Sequence, residues 1–150
     1  MVGVSALKYS ILRSSLGSDI IYDFDKSISF EGDSGPYLQY TAVRANSVLE
    51  KAKSSFASTL EMAGDEVYGL QHILYQFPEV VARAYENLEP HHIATYLTEL
   101  ASEFNSFYAN TQILNKEDPH TPYRIALVQA FHTTMKNGLY LLGIETPEKM

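Results

Sequence analysis

Cysteine is missing altogether from these 150 residues. That absence removes a disulfide scaffold, thiolate catalysis and every cysteine-ligated zinc site. Long apolar runs are missing too, and none approaches the ~20 residues that a membrane-spanning helix needs. The opening, Met-Val-Gly-Val-Ser-Ala-Leu-Lys-Tyr, has no basic stretch followed by an apolar one. No secretory signal and no membrane partner are therefore expected, and the sequence reads as that of a cytoplasmic protein. Neither a Gly-x-x-x-x-Gly-Lys-Ser/Thr loop nor a Gly-x-Gly-x-x-Gly turn is present, so no nucleotide phosphate is cradled in either of those ways. Positive charge is scarce as well: 11 Lys and Arg against 18 Asp and Glu give a net charge of −7. Such a balance opposes binding nucleic acid by bulk charge, and no DNA partner is expected.

What is present is a globular composition. A hydrophobic fraction of 45% with 19% charged residues over this length fits one domain with one core. The acid is concentrated in the middle. Residues 1–53 carry six basic and six acidic side chains, residues 54–90 one against six, and residues 91–150 four against six. The neutral first segment, with its own cations, can still build a local anion-binding surface.

Pro36, Pro78, Pro90 and Pro122 each precede a helix-compatible stretch, as proline does at a first helical position where no N–H partner is lost. Thr121 suits the N-cap of the last stretch and Gly143 its stop. Leu38, Ala42, Ala45, Leu49, Ala52 and Phe56 form one sustained helical stripe. Ile93, Leu97, Leu100, Phe104 and Phe107 form another, and Ile125, Val128, Phe131, Met135, Leu139 and Leu142 a third. Leu127 and Leu141 lie opposite that third stripe, which predicts a helix buried on two faces. Val67, Leu70, Leu74 and Phe77 predict a shorter helix, Val81, Ala84, Tyr85 and Leu88 another, and residues 2–14 a further one. Only residues 18–30 alternate at short range, through Ile20, Tyr22, Phe24, Ile28 and Phe30, which predicts a short extended segment or hairpin-like excursion. The class is all-α, a bundle of five or six helices.

Several familiar chemistries are excluded by their own requirements. Gly32-Asp33-Ser34-Gly35-Pro36 resembles a serine-protease nucleophile loop, but the β-barrel pattern and the second glycine are missing. It reads instead as a loop capping the helix that follows. Asp23, Asp25, Glu31 and Asp33 do not make an EF-hand, because loop positions six and twelve fall on Ile28 and Ser34. Adjacent helical positions point ~100° apart, so His91 and His92 are not expected to share an ion, and no metal site is predicted. No constellation that would carry catalysis is found.

One face does carry chemistry. On the helix beginning near Pro36, Tyr37, Tyr40, Arg44 and Lys51 fall together, roughly 100–160° from the centre of the buried stripe. Aromatic faces interleaved with cations stack bases and hold phosphates, which is how unpaired RNA loops are read. The alternative is that the tyrosines pack under a neighbouring helix and Arg44 pairs with a carboxylate.

The stretch Glu31-Gly-Asp-Ser-Gly-Pro-Tyr-Leu-Gln-Tyr40, with Arg44 four residues on, closely resembles the start of the DALR-type anticodon-binding domain of arginyl-tRNA synthetases. The resemblance extends to the Val-Gly-Val-Ser-Ala-Leu-Lys-Tyr opening, to Asp23-Phe-Asp-Lys-Ser-Ile-Ser-Phe30, and to the ending Leu141-Leu-Gly-Ile-Glu-Thr-Pro-Glu-Lys-Met150. It implies a helical bundle over residues 34–150, preceded by a linker segment, 1–33, close to the tRNA stem. It further implies that Tyr37 and Tyr40 face the anticodon loop with Arg44 beside them. By the same resemblance, Tyr108 packs in that region and the backbone of Met150 lies close to the anticodon. Lys51, by its place on the Tyr37 face of the helix, is a candidate phosphate contact. Tyr108 also sits ~60° off the Ile93 stripe, a position suited to the edge of the core. The partner implied is the anticodon arm of arginine tRNA. The family's catalytic signatures for adenylate formation do not occur in these residues. ATP and arginine would thus be used by a catalytic domain elsewhere in a parent ligase, and this segment would be neither an enzyme nor a cofactor carrier. A second reading keeps the same fold as a free-standing interaction module, with the Tyr37 face binding a protein partner.

Overall fold

The computed structural model describes residues 2–56 and 67–150. Among them every regular element is a helix, with no strand: α1 (Val2–Leu12), α2 (Phe24–Ser27), α3 (Gly35–Lys53), α4 (Gly69–Asn87), α5 (His91–Asn110) and α6 (Thr121–Leu141). Helix α3 starts where Ser34, in an extended conformation, accepts a hydrogen bond from the Tyr37 backbone N–H at 3.1 Å, with Pro36 in the first turn. Lys51 and Lys53 occupy its last turn, where cations suit the negative end of the helix dipole. Helix α6 ends in a Schellman motif. Gly143 takes φ 68°, its N–H bonds the Tyr140 carbonyl at 2.9 Å, and the Ile144 N–H bonds that of Leu139 at 2.9 Å.

Helices α3, α5 and α6 enclose the core, with α4 laid against α5 and α6 and α1 against α3. Every member of the three long stripes that lies within its helix is buried, and Phe104 stacks on Phe131 at a centroid distance of 3.9 Å. The crossing of α1 over α3 is close: a Cβ on Gly35 would sit 2.5 Å from the Ser5 carbonyl oxygen. Buried polar groups join the elements. Gln39 accepts from the Ser5 hydroxyl at 2.7 Å and donates to the Glu145 carbonyl at 2.6 Å, tying α1, α3 and the carboxy-terminal segment together. Asp33 receives hydrogen bonds from Tyr9 and Thr98 and pairs with Arg13 at 2.8 Å. The Gly-Asp-Ser-Gly loop is therefore a structural corner between α1, α3 and α5.

The structure departs from the sequence expectations at identifiable points. Pro78 does not open a helix; it lies inside α4, so the two short helices are one. Proline's fixed φ is itself helical, and packing of the flanking Leu74, Phe77 and Val80 on the core offsets the lost hydrogen bond. Residues 18–30 form no strand or hairpin. Asp23 is extended but caps the single turn α2, accepting from the Lys26 N–H at 3.1 Å, and that local bond outweighs the alternation. Thr121 is the first residue of α6, not its cap; its hydroxyl bridges the N–H and C=O of Asn115 across the preceding loop. Of the second face of α6, Leu127 is buried but Leu141 is exposed. In the acidic middle segment, Glu61, Asp65 and Glu66 lie outside the described residues.

Candidate nucleic-acid interface

The α3 stripe turns Leu38, Ala42, Ala45 and Leu49 inward, which leaves Tyr37, Tyr40 and Arg44 along the flank facing α5. Arg44 sits at the centre of what gathers there. Its guanidinium carbon lies 4.9 Å from the Tyr40 ring centroid and 5.3 Å from that of Tyr108 on α5, within cation–π range of both. Its Nη2 donates to the Tyr40 hydroxyl at 3.3 Å and its Nη1 to the Asn105 side-chain oxygen at 2.5 Å. The Asn105 amide nitrogen in turn donates to the Tyr37 hydroxyl at 2.9 Å. Phe30, from the loop before α3, meets the Tyr40 ring edge-on at 6.2 Å.

The exposures separate anchors from contact groups. Tyr37 is half-buried against the core, whereas Tyr40 and Tyr108 keep 39% and 42% of their surface open to solvent and Phe30 keeps 50%. Apolar rings rimmed by hydroxyls around a cation offer stacking surfaces and directed hydrogen bonds at one place.

All four arginines of the sequence are described, and their partners differ. Arg13 pairs with Asp33, Arg83 with Glu79, and Arg124, buried beneath the loop before α6, with Asp118 at 2.7 Å. Arg44 alone makes no ion pair among the described residues. The alternative in which Arg44 pairs with a carboxylate is therefore not what forms: its neighbours are neutral.

The structure thus brings Tyr37, Tyr40, Arg44 and Tyr108 together. Lys51 lies exposed two turns further along α3, without an ion pair among the described residues. Met150 is exposed. The Thr146–Lys149 residues before it line a cleft with Asn46 and Glu50 of α3, so the chain end runs alongside this helix. Two members escaped sequence reasoning. Asn105 precedes Tyr108 by three residues, a spacing that places both on one side of α5, but nothing in sequence tells which helix that side meets. Phe30 belongs to the segment read as alternating.

Away from this face, Glu89, His91 and His92 put one ligand atom each within 4.8 Å of one another, and the two imidazole rings are 4.3 Å apart. This corrects the expectation that adjacent histidines diverge. Both lie in the first turn of α5, where no preceding turn restricts their rotamers. His92 already shares a hydrogen bond with Glu89 at 3.0 Å.

Among known proteins, the model of the DALR anticodon binding domain matches residues 38–150. Over its full length the chain is 39% identical to the arginine–tRNA ligases of Halothermothrix orenii and of an Exiguobacterium species, spanning 27% of each. The fold superposes on the arginyl-tRNA synthetase of Thermus thermophilus with a TM-score of 0.92 and 33% identity, covering all of this chain and 27% of that one. The Plasmodium falciparum arginyl-tRNA synthetase gives 0.84 at 26% identity, covering 99% of this chain and 27% of that one. The chain spans about a quarter of the length of the curated relatives it matches.

Proposed function

Since this chain belongs to the DALR anticodon-binding domain family, we propose that it receives the anticodon arm of arginine tRNA as one domain of an arginyl-tRNA synthetase. Bases of the unstacked loop stack on Tyr40 and Tyr108, with Phe30 extending the apolar surface. Arg44 supplies the positive charge for a phosphate or a base edge, and the Tyr37 hydroxyl adds a directed hydrogen bond. Lys51 meets the backbone further along, and the chain end at Met150 closes the site from the side. Recognition here would hold the acceptor end of the tRNA against the catalytic domain of a parent ligase. That domain would use ATP and arginine, in the cytoplasm where translation proceeds.

The observation that carries this reading is Arg44, flanked by two tyrosine rings and free of any ion pair among the described residues. A structural arginine of a packed helix pair is expected to meet a carboxylate, as Arg124 does. The test is fluorescence anisotropy of a labelled RNA hairpin carrying an arginine anticodon, titrated with this chain at several salt concentrations. Few phosphate contacts and an acidic protein predict weak, salt-sensitive binding that falls when the anticodon is changed. Equal affinity for both hairpins, or none for either, contradicts the proposal and leaves a protein partner as the occupant of the Tyr37 face.

A further inference from the structure

We propose that Asn105 is a positioning residue that aims Arg44 at the RNA while leaving the arginine's charge uncompensated. This rests on the reading of the Tyr37–Arg44 face as the RNA-binding surface. The argument comes from the chemistry of the amide. A primary amide has an acceptor at one end and donors at the other, and Asn105 uses both. Its oxygen accepts from Arg44 Nη1 at 2.5 Å and its nitrogen donates to the Tyr37 hydroxyl at 2.9 Å.

One side chain from α5 therefore sets two groups on α3. The Tyr37 hydroxyl, once it accepts from the amide, has its own proton left to donate to an acceptor on a ligand. The guanidinium is held on one edge by Asn105, on another by the Tyr40 hydroxyl, and flanked by two aromatic rings. Each of these partners is neutral. A carboxylate at position 105 would orient Arg44 equally well, yet would cancel the charge that the RNA needs. The contrast with Arg13, Arg83 and Arg124, each held by a carboxylate, separates a functional cation from structural ones.

Asn105→Asp tests this because it is isosteric and keeps both contacts. The new carboxylate accepts from Arg44, and the Tyr37 hydroxyl turns to donate to it. The folded chain is thus expected to keep or raise its thermal midpoint while losing RNA affinity, two readouts that a merely structural role would move together. Binding of the arginine-anticodon hairpin should weaken by roughly tenfold, the scale of one charge-assisted contact. The slope of log affinity against log salt should become shallower by about 0.7, the value of one single-strand phosphate contact. In an Arg44→Gln background, Asn105→Asp should cost clearly less than in the wild type, because the loss through the arginine is already taken and only the Tyr37 proton is still diverted. Unchanged affinity and slope in Asn105→Asp, beside a wild type that binds, overturn this inference alone. A full additive loss in the Arg44→Gln background also overturns it, since Asn105 would then not act through Arg44. A wild type that binds neither hairpin overturns it together with the proposed function.

Discussion

At the scale of the residue, Tyr40 and Leu49 lie on one helix and invite opposite outcomes. Tyr40 is 39% exposed, and its contacts are with Arg44 and the ring of Phe30, so Tyr40→Ala removes a stacking surface without opening the core. It is expected to weaken hairpin binding by ~1–3 kcal/mol, read by anisotropy, with an unchanged urea midpoint. Leu49→Ala empties a buried position on the α3 stripe and should cost ~2–5 kcal/mol of stability, read by urea denaturation. Leu49→Ala should leave affinity intact wherever the chain stays folded. Tyr40 and Arg44 were legible in the sequence because four-residue spacing fixes their common face. Asn105 was not, since its partners stand 61 and 68 positions away in the chain and only the packing of α3 on α5 brings them together.

At the scale of the element, the helix ends differ in how well residue type fits backbone. Gly143 adopts φ 68° at the end of α6, where it costs little, whereas Leu88 adopts φ 57° at the end of α4, where its Cβ is crowded. Leu88 is exposed, so little burial is lost on its removal. Leu88→Gly should therefore raise stability by about 0.5–1 kcal/mol, and Gly143→Ala should lower it by about 1 kcal/mol, both measured by thermal or urea unfolding. The Gly143 stop was visible in sequence because glycine is the usual residue there. The Leu88 stop was hidden because leucine rarely takes that conformation, and local backbone bonds, with the Glu89 N–H on the Ala84 carbonyl at 2.9 Å, close the helix there. The continuity of α4 through Pro78 was hidden because tertiary packing overrides local preference. The extended excursion expected at residues 18–30 failed for the opposite reason: one local cap, Asp23 on Lys26, decided the turn where alternation suggested a strand.

At the scale of the whole molecule, stability should peak between mild acid and mild alkali. Burial pushes the Tyr9 hydroxyl well above its ordinary pKa, helped by its bond to Asp33, and burial does the same to Tyr96. Each binds its proton more tightly folded than unfolded. Their stabilisation is whole below about pH 10, the ordinary tyrosine value, and is lost as pH climbs through the raised values. In acid the direction reverses. The His120 backbone N–H, with Arg124, holds Asp118 below the usual carboxylate range, and burial beside Lys136 lowers His132. Both bind protons more weakly folded than unfolded. Stability therefore falls as pH drops below about 6.5 for His132, and again through the carboxylate range for Asp118. Helicity followed by circular dichroism across pH should show both flanks. Tyr9→Phe should soften the alkaline flank and leave the acid one unchanged.

The same scale locates the binding face. Helix α4, which carries Glu79 and Glu86 of the acidic middle segment, packs on α5 and α6, while the Tyr40–Arg44 surface belongs to α3 and the far half of α5. The described acids of the middle segment on α4 and the RNA face are thus set on different elements, which helps a chain of net charge −7 to present a cation to RNA. The most direct test is nuclear magnetic resonance of the labelled chain, following the tyrosine ring and arginine Nε signals as the arginine-anticodon hairpin is added. The account predicts that Tyr37, Tyr40, Tyr108 and Arg44 shift first and most, and that the signals of Arg83 and Tyr85 on α4 stay still. Shifts centred on α4, or on the exposed face of α1, with the Arg44 signal unmoved, would contradict it.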